Sequence, residues 1–284
     1  LEEAYENVDY LALHNYIDKY DEEDLTKPPK NERDDTATYL AKAYRFDRQI
    51  EEIVATCDYV KGYLRSEKTM YLAFDEWNVH AQPEKRHRDF EVGSPIDWCY
   101  FTMEDTLLFG SLGLAILRHA DRVKISCQSL LVNTIPLILT DAKGQAWRNP
   151  TYYVMQHLSK YAKGQVLKQQ IICPVYDCEK IKNVPYVDSA SAWDRENGRL
   201  NLFVLNRNEE SEYSLTVDVR GFEGYRFVKQ FEMYTDDLEA SSSFDNPSLV
   251  LPKEKEDILF ADGRLTTSLK PLSWNVLCFE KEEE

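Results

Sequence analysis

No apolar run in this sequence approaches the ~20 residues needed to span a bilayer, and no basic segment followed by an apolar one opens the chain. Neither a membrane helix nor a secretory leader is therefore expected. Cysteine is sparse: six residues, Cys57, Cys99, Cys127, Cys173, Cys178 and Cys278, are scattered with no Cys-x-x-Cys pair and no Cys/His cluster at zinc spacing. A chain this long needs no disulfides to fold, so the cysteines read as buried or semi-buried thiols in a reducing compartment, which fits the cytoplasm. Only Cys173 and Cys178 are close enough in sequence to suggest a bridge. Positive charge is also short, at 34 basic against 50 acidic side chains, a net of −16. Such a surface repels phosphate backbones and anionic lipid, which argues against nucleic acid and membrane as partners and leaves neutral substrates such as sugars open. There is no internal repeat, and the acid is not a low-complexity tail apart from the short Glu280–Glu284 end. The first residue is Leu1 rather than Met, so the sequence is expected to begin inside a longer product.

What is present is enough apolar material for a core. Hydrophobic residues make up 43% and charged residues 30% of the 284, a balance that argues against intrinsic disorder. Up to about residue 170, β-type runs alternate with helical patterns. Tyr10–Tyr16 reads as a strand ending in polar and aromatic groups, followed by a polar loop with Pro28-Pro29. Leu40, Ala43, Phe46, Ile50, Ile53, Val54, Cys57, Val60 and Leu64 recur at steps of three and four and predict an amphipathic helix. Thr69–Phe74 is a nearly continuous apolar run, suited to a strand covered on both faces, that ends at Asp75-Glu76-Trp77-Asn78. After a loop with Pro83, Gly93 and Pro95 come a helix over 104–119, a strand over 123–127 and a helix over 151–161 with Pro150 at its first turn. This alternation predicts βαβ units, with three strands in all. Beyond residue 171 the helical period disappears. Leu200–Leu205, Tyr213–Val219 and Trp274–Phe279 are strand-like and separated by turn signals such as Glu196-Asn197-Gly198 and Asp262-Gly263, which predicts an antiparallel sandwich.

The stretch that points to chemistry is Phe74-Asp75-Glu76-Trp77-Asn78-Val79. An apolar strand delivers a carboxylate to its C-terminal end, where parallel β/α barrels build their active sites. A carboxylate there can attack an anomeric carbon or act as acid or base. Trp77 could offer a platform for a sugar ring, and Asn78 could bind a hydroxyl. The plainer alternative is that Glu76 caps a turn and Trp77 is core.

Taken whole, this string resembles the nucleophile motif of family 51 glycoside hydrolases, the α-L-arabinofuranosidases. Val8–Tyr16 resembles the sixth barrel strand of that family, and Val123–Cys127 with Leu131–Ile135 resembles its eighth-strand region. Trp147-Arg148 and Pro150–Tyr153 resemble the stretch that follows. Val184–Ala190, Asn206-Arg207, the pair Gly221 and Gly224, and Pro271–Val276 resemble its C-terminal sandwich. The resemblance implies an α/β plus all-β architecture. Residues 1–168 would be the C-terminal portion of a (β/α)8 TIM barrel, about its last three β/α units, and residues 169–284 a jelly-roll-like antiparallel β-sandwich. It also implies a retaining mechanism in which Glu76 is the nucleophile, acting on arabinan- or arabinoxylan-type glycans. His14, Tyr16, Trp77, His80 and Gln128 would contact the substrate, with no metal or organic cofactor. Tyr16 could donate to the Glu76 carboxylate and favour its charged form. Read without the resemblance, His14 is a satisfied core group and Tyr16 closes the strand.

The chief departure is another absence. The general acid/base of the family is a Glu after Asn, usually in a Gly-Asn-Glu string on the fourth strand, and no such string occurs here. Asn31-Glu32 and Asn208-Glu209 are the only Asn-Glu pairs, and neither ends an apolar strand. The acid/base is therefore expected outside this chain, in a missing N-terminal half of the barrel, and the family relationship implies homo-oligomers. His80 stands where the family usually has another aromatic, and Leu130 where it has a Gln, for which Gln128 could substitute two residues earlier along an extended backbone. His119 suits a helix C-terminus, His87 reads as a solvated loop residue, and Trp193 and Trp274 read as sandwich core. Two rivals remain: another retaining glycosidase of the same barrel clan, and a non-catalytic module that binds carbohydrate or a partner.

Overall fold

The computed structural model describes residues 1–19, 33–80, 92, 98–141, 143–179, 181–256 and 258–282. Pro28-Pro29, Asn31-Glu32, Pro83, His87, Gly93 and Pro95 lie outside the described residues. The first half contains β1 (Tyr10–Asp18), α1 (Thr36–Leu64), β2 (Tyr71–His80), α2 (Met103–Arg118), β3 (Val123–Gln128), a hairpin of β4 (Ile138–Thr140) and β5 (Ala146–Arg148), and α3 (Pro150–Tyr161). Strands β1, β2 and β3 form a parallel sheet in that order. The sheet is open, and no closed barrel forms among the described residues.

Local chemistry explains the helix ends. Asp35 accepts from the Thr38 amide at 2.7 Å and starts α1 several residues before the first apolar repeat. Thr102 and Asp105 form a reciprocal capping box on α2. Pro150 opens α3, while the Asn149 side chain bonds Pro136 O at 2.7 Å and so ties the β4–β5 region to the helix start. His119 caps α2, its Nε2 3.0 Å from Asp47 Oδ1 of α1.

The helices cover one face of the parallel sheet. Phe46 of α1 meets Phe74 edge-on at 5.1 Å, and Phe109 of α2 stacks on Trp77 at 4.9 Å. Along β1, Leu11, Leu13 and Ile17 pack into this core, while Tyr10, Ala12, His14 and Tyr16 alternate onto the uncovered face.

The second half comprises β6 (Gln165–Val166), β7 (Val175–Tyr176), β8 (Val184–Pro185), β9 (Val187–Asp194), β10 (Arg199–Asn206), β11 (Tyr213–Asp218), β12 (Tyr225–Met233), β13 (Lys253–Lys255), β14 (Leu259–Ala261), β15 (Arg264–Leu269) and β16 (Ser273–Lys281). A six-stranded antiparallel sheet, β13-β12-β16-β10-β9-β6, faces a three-stranded one, β11-β15-β14. On β10, Leu200, Leu202 and Val204 point into the space between the sheets, with Leu265 and Leu269 of β15. Phe203 and Leu205 point the other way, into the core built around α2. Burial on both sides explains why β10 reads as a continuous apolar run although its sheet is antiparallel.

Helix α2 thus lies between the parallel sheet and the six-stranded sheet. Trp274 of β16 is fully buried against it: a Cβ on Gly110 would lie 2.8 Å from Trp274 Cε3. A buried ion network reinforces the join. Asp188 of β9 bonds Arg118 of α2 at 2.6 Å and also bonds Arg207, which reaches Ser111 Oγ of α2 at 3.2 Å. Burial alone would raise the Asp188 pKa, but Arg118 and Arg207 overcome it and hold the carboxyl below its ordinary value.

All six cysteines are free, so Cys173 and Cys178 form no bridge. Cys127 corrects the expectation of buried thiols, because it is exposed on β3, an edge of the parallel sheet. Trp274 is core as expected, and Trp193 is half-buried, its Nε1 donating to Tyr225 Oη at 2.7 Å.

Candidate active site

The expected strand over 69–74 does not stop at Asp75; β2 runs on to His80. It passes the acidic pair through a β-bulge. Leu13 pairs with Phe74, but His14 pairs with Glu76, so Asp75 has no partner on β1. On the other side Phe74 pairs with Ser126 and Trp77 with Gln128, so two β2 residues oppose Cys127 alone. At Asp75-Glu76, β2 therefore carries one extra residue relative to β1 and, locally, relative to β3, whose own extra residue, Lys124, lies earlier, between the partners of Leu72 and Ala73. In an unbroken strand Glu76 would share the parity of Leu72 and Phe74, which face the helices. The extra residue moves Glu76 to the uncovered face, beside His14 and Tyr16, and gives Trp77 the helix-facing position.

The Tyr16 hydroxyl donates to Glu76 Oε2 at 2.7 Å. His14 lies between the two carboxylates, Nδ1 3.5 Å from Glu76 Oε2 and Nε2 3.5 Å from Asp75 Oδ1. Glu76, Asp75 and His14 are each about half-exposed. Partial burial raises the Tyr16 phenol above its ordinary pKa, a hydrogen bond with Ser129 works against this, and the Glu76 carboxylate adds to it. The phenol therefore remains a proton donor across the neutral range.

Trp77 does not join this group. It is 2% exposed, stacked on Phe109, with Nε1 donating to Ser126 Oγ at 2.9 Å. The sugar-platform expectation fails because the bulge turns the indole into the core. Asn78 is also fully buried. Its Nδ2 donates to Ser129 O at 2.5 Å and Ile135 O at 2.9 Å, which clamps the segment following β3 against the end of β2. His80 closes β2 with Nδ1 3.3 Å from Asp18 Oδ2, its register partner on β1. Gln128, half-buried at the end of β3, donates to Leu130 O at 3.2 Å.

The structure therefore brings Glu76, His14 and Tyr16 into one group, sets His80 and Gln128 at neighbouring strand ends, and removes Trp77. Sequence reasoning missed Asp75 as a partner of His14, Ser129 beside Tyr16, and Asn78 as a clamp. The adjacency of two acids at a strand end was the available signal for Asp75. Chemically, the group offers a carboxylate fixed by a neutral donor and flanked by an imidazole, an arrangement suited to attack on an electrophilic carbon. Among the described residues no three His, Cys, Asp or Glu side chains converge as metal ligands would.

Residues 75–273 match the family model described as the α-L-arabinofuranosidase C-terminal domain. The chain is 38% identical to intracellular exo-α-(1→5)-L-arabinofuranosidase 1 of Bacillus subtilis (strain 168), over 99% of this chain and 54% of that protein. It is 36% identical to the intracellular exo-α-(1→5)-L-arabinofuranosidase of Halalkalibacterium halodurans, with the same two coverages. Among solved structures, a family 51 α-L-arabinofuranosidase from Bifidobacterium longum superposes with a TM-score of 0.87 at 26% identity, over 99% of this chain and 54% of that one. The chain spans about half the length of the relatives it matches.

Proposed function

Because the chain belongs to the family 51 α-L-arabinofuranosidases, we propose that it is the C-terminal part of a retaining glycosidase. That enzyme would release terminal α-L-arabinofuranosyl residues from arabinan- or arabinoxylan-type glycans. Residues 1–168 supply about the last three β/α units of a (β/α)8 barrel, and residues 169–284 a jelly-roll-like sandwich. The open edges of β1 and β3 are where the remainder of the barrel pairs.

The observation that carries the reading is the Glu76 carboxylate, presented on a bulge at the C-terminal end of a parallel strand and held by Tyr16 at 2.7 Å. In the first step a Glu76 oxygen forms a bond to the anomeric carbon as the glycosidic C–O bond breaks. The leaving oxygen takes a proton from a general acid in the part of the enzyme that this chain does not span. In the second step that group, now a base, deprotonates water, which attacks the anomeric carbon and frees Glu76. Retaining chemistry requires the two carboxyls about 5–5.5 Å apart, so the acid sits across the uncovered face from Glu76. His14 and Tyr16 support the nucleophile, and His80 and Gln128 reach the sugar from neighbouring strand ends. The enzyme acts in the cytoplasm, in keeping with relatives named intracellular, and as a homo-oligomer, as the family resemblance implies.

The test is Glu76→Ala in the full-length enzyme, assayed on an aryl α-L-arabinofuranoside beside the corresponding xyloside, galactoside and glucoside. The expected result is hydrolysis of the arabinofuranoside by wild type and none by E76A. Wild-type rates in the variant overturn the nucleophile, and preference for another glycoside overturns the substrate.

A further inference from the structure

We propose that Asp75 is a positioning residue of this site. It holds the His14 ring so that His14 and Tyr16 both engage Oε2 of Glu76, leaving Oε1 as the attacking oxygen. The inference rests on the reading of Glu76 as nucleophile, and three observations on the described residues support it.

The first is the bulge. The extra residue of β2 opposite the Leu13–His14 step of β1 brings Asp75 and Glu76 to the same imidazole, whereas consecutive residues of a regular strand point to opposite faces. The second is the way His14 is held. Its two ring nitrogens face one carboxylate each, Nε2 toward Asp75 Oδ1 and Nδ1 toward Glu76 Oε2, both at 3.5 Å. At about half exposure little else restrains the ring, so removing Asp75 frees it to rotate away from Glu76. The third is the asymmetry at Glu76. Tyr16 and His14 both contact Oε2, and among the described residues nothing bonds Oε1. A carboxylate fixed through one oxygen presents the other in a defined direction, which is what attack on a carbon at one face of a sugar ring requires.

Acting through His14 makes Asp75 a positioning residue rather than a catalytic one, and coupling between the two is its signature. The experiment is a double-mutant cycle in the full-length enzyme, with D75N, H14Q and D75N/H14Q assayed on an aryl α-L-arabinofuranoside and each variant checked by thermal melting. D75N is expected to lower kcat about tenfold with KM changed less than about twofold, because the loss lies in orientation rather than sugar binding. The double variant is expected to be no slower than H14Q alone, since Asp75 has nothing left to orient. Full activity in D75N overturns the proposal, and so do losses that multiply in the double variant. If D75N melts early, D75E replaces it in the same cycle with the same criterion of coupling. E76Q is run alongside. If E76Q keeps its activity, the nucleophile reading itself falls; if E76Q is inactive while D75N is unimpaired, only the role of Asp75 falls.

Discussion

The hydroxyl of Tyr16 and Oε2 of Glu76 lie 2.7 Å apart, joining the C-terminal ends of two neighbouring parallel strands. Hydrogen bonds to a charged group contribute about 1.5–3 kcal/mol, and the charge on Glu76 changes during attack. Tyr16→Phe deletes the hydroxyl and keeps the ring, on a face already exposed in this chain. We expect kcat of the full-length enzyme to fall about 10- to 100-fold, the rate equivalent of that energy, with the melting temperature nearly unchanged. Steady-state kinetics on an aryl arabinofuranoside checks this, and an unchanged kcat would remove Tyr16 from the machinery.

Much of the fold was legible because its periods are simple. The 3.6-residue repeat of α1 and the alternation of β11 each report one buried face. His14 and Tyr16, two apart on one strand, had to share a side. The tail of β2 was misread because a bulge leaves no trace in apolar patterning. Asp75-Glu76 looks like the end of a strand, yet it is the place where the strand changes face and continues to His80. Trp77 was ambiguous for the same reason, since one residue of register decides whether an indole faces sugar or Phe109. The burial of α2 between two sheets depends on contacts such as Gly110 with Trp274, which join residues too far apart for any local pattern to signal.

That last contact predicts the effect of Gly110→Ala. Alanine favours a helix interior over glycine by about 1 kcal/mol, but its methyl would sit 2.8 Å from Cε3 and 3.0 Å from Cζ3 of a fully buried Trp274 ring. Overpacking of this kind costs about 1–3 kcal/mol. The clash should prevail, with a net cost of up to about 2 kcal/mol that lowers the melting temperature by up to about 4 °C for a chain of this size. A rise in the melting temperature would mean that the ring can yield and that the two halves are less tightly joined.

Arg207→Met tests the ion network between α2 and the sandwich. Asp188 would remain buried with Arg118 as its guanidinium partner. Removing one partner of a buried ion pair costs about 3–5 kcal/mol, and the retained Arg118 puts the expectation at the lower end. The sign with pH follows from the depressed carboxyl. Its contribution is present above the unfolded value near 3.8 and is lost as pH falls through the lower folded value. With Arg207 gone the folded pKa moves up toward the unfolded value, so the carboxylate contributes less above it and the variant has less of this stability to lose in acid. Urea midpoints measured from pH 7 down to pH 3 should show the variant weaker at neutral pH, with the gap to wild type narrowing as pH falls below about 3.8.

His157 predicts a second acid sensitivity, in a higher window. Its Nδ1 accepts from Trp274 Nε1 at 3.1 Å, and its ring stacks on Phe231 at 5.2 Å. Burial, with Lys160 adding to it, lowers the pKa from 6.5 to about 4. The folded protein therefore keeps His157 neutral while the unfolded chain takes up a proton. Between the two values the unfolded state binds more protons, so stability falls as pH drops from 6.5 towards 4, by up to about 3 kcal/mol. His157→Phe removes both the titration and the acceptor. At pH 7 it should be less stable by about 1–3 kcal/mol, because the buried indole N–H loses its partner. As pH falls from 6.5 to 4 the wild type should lose that advantage, so the two stability curves converge. Curves that stay parallel through this window would place the titration on another group.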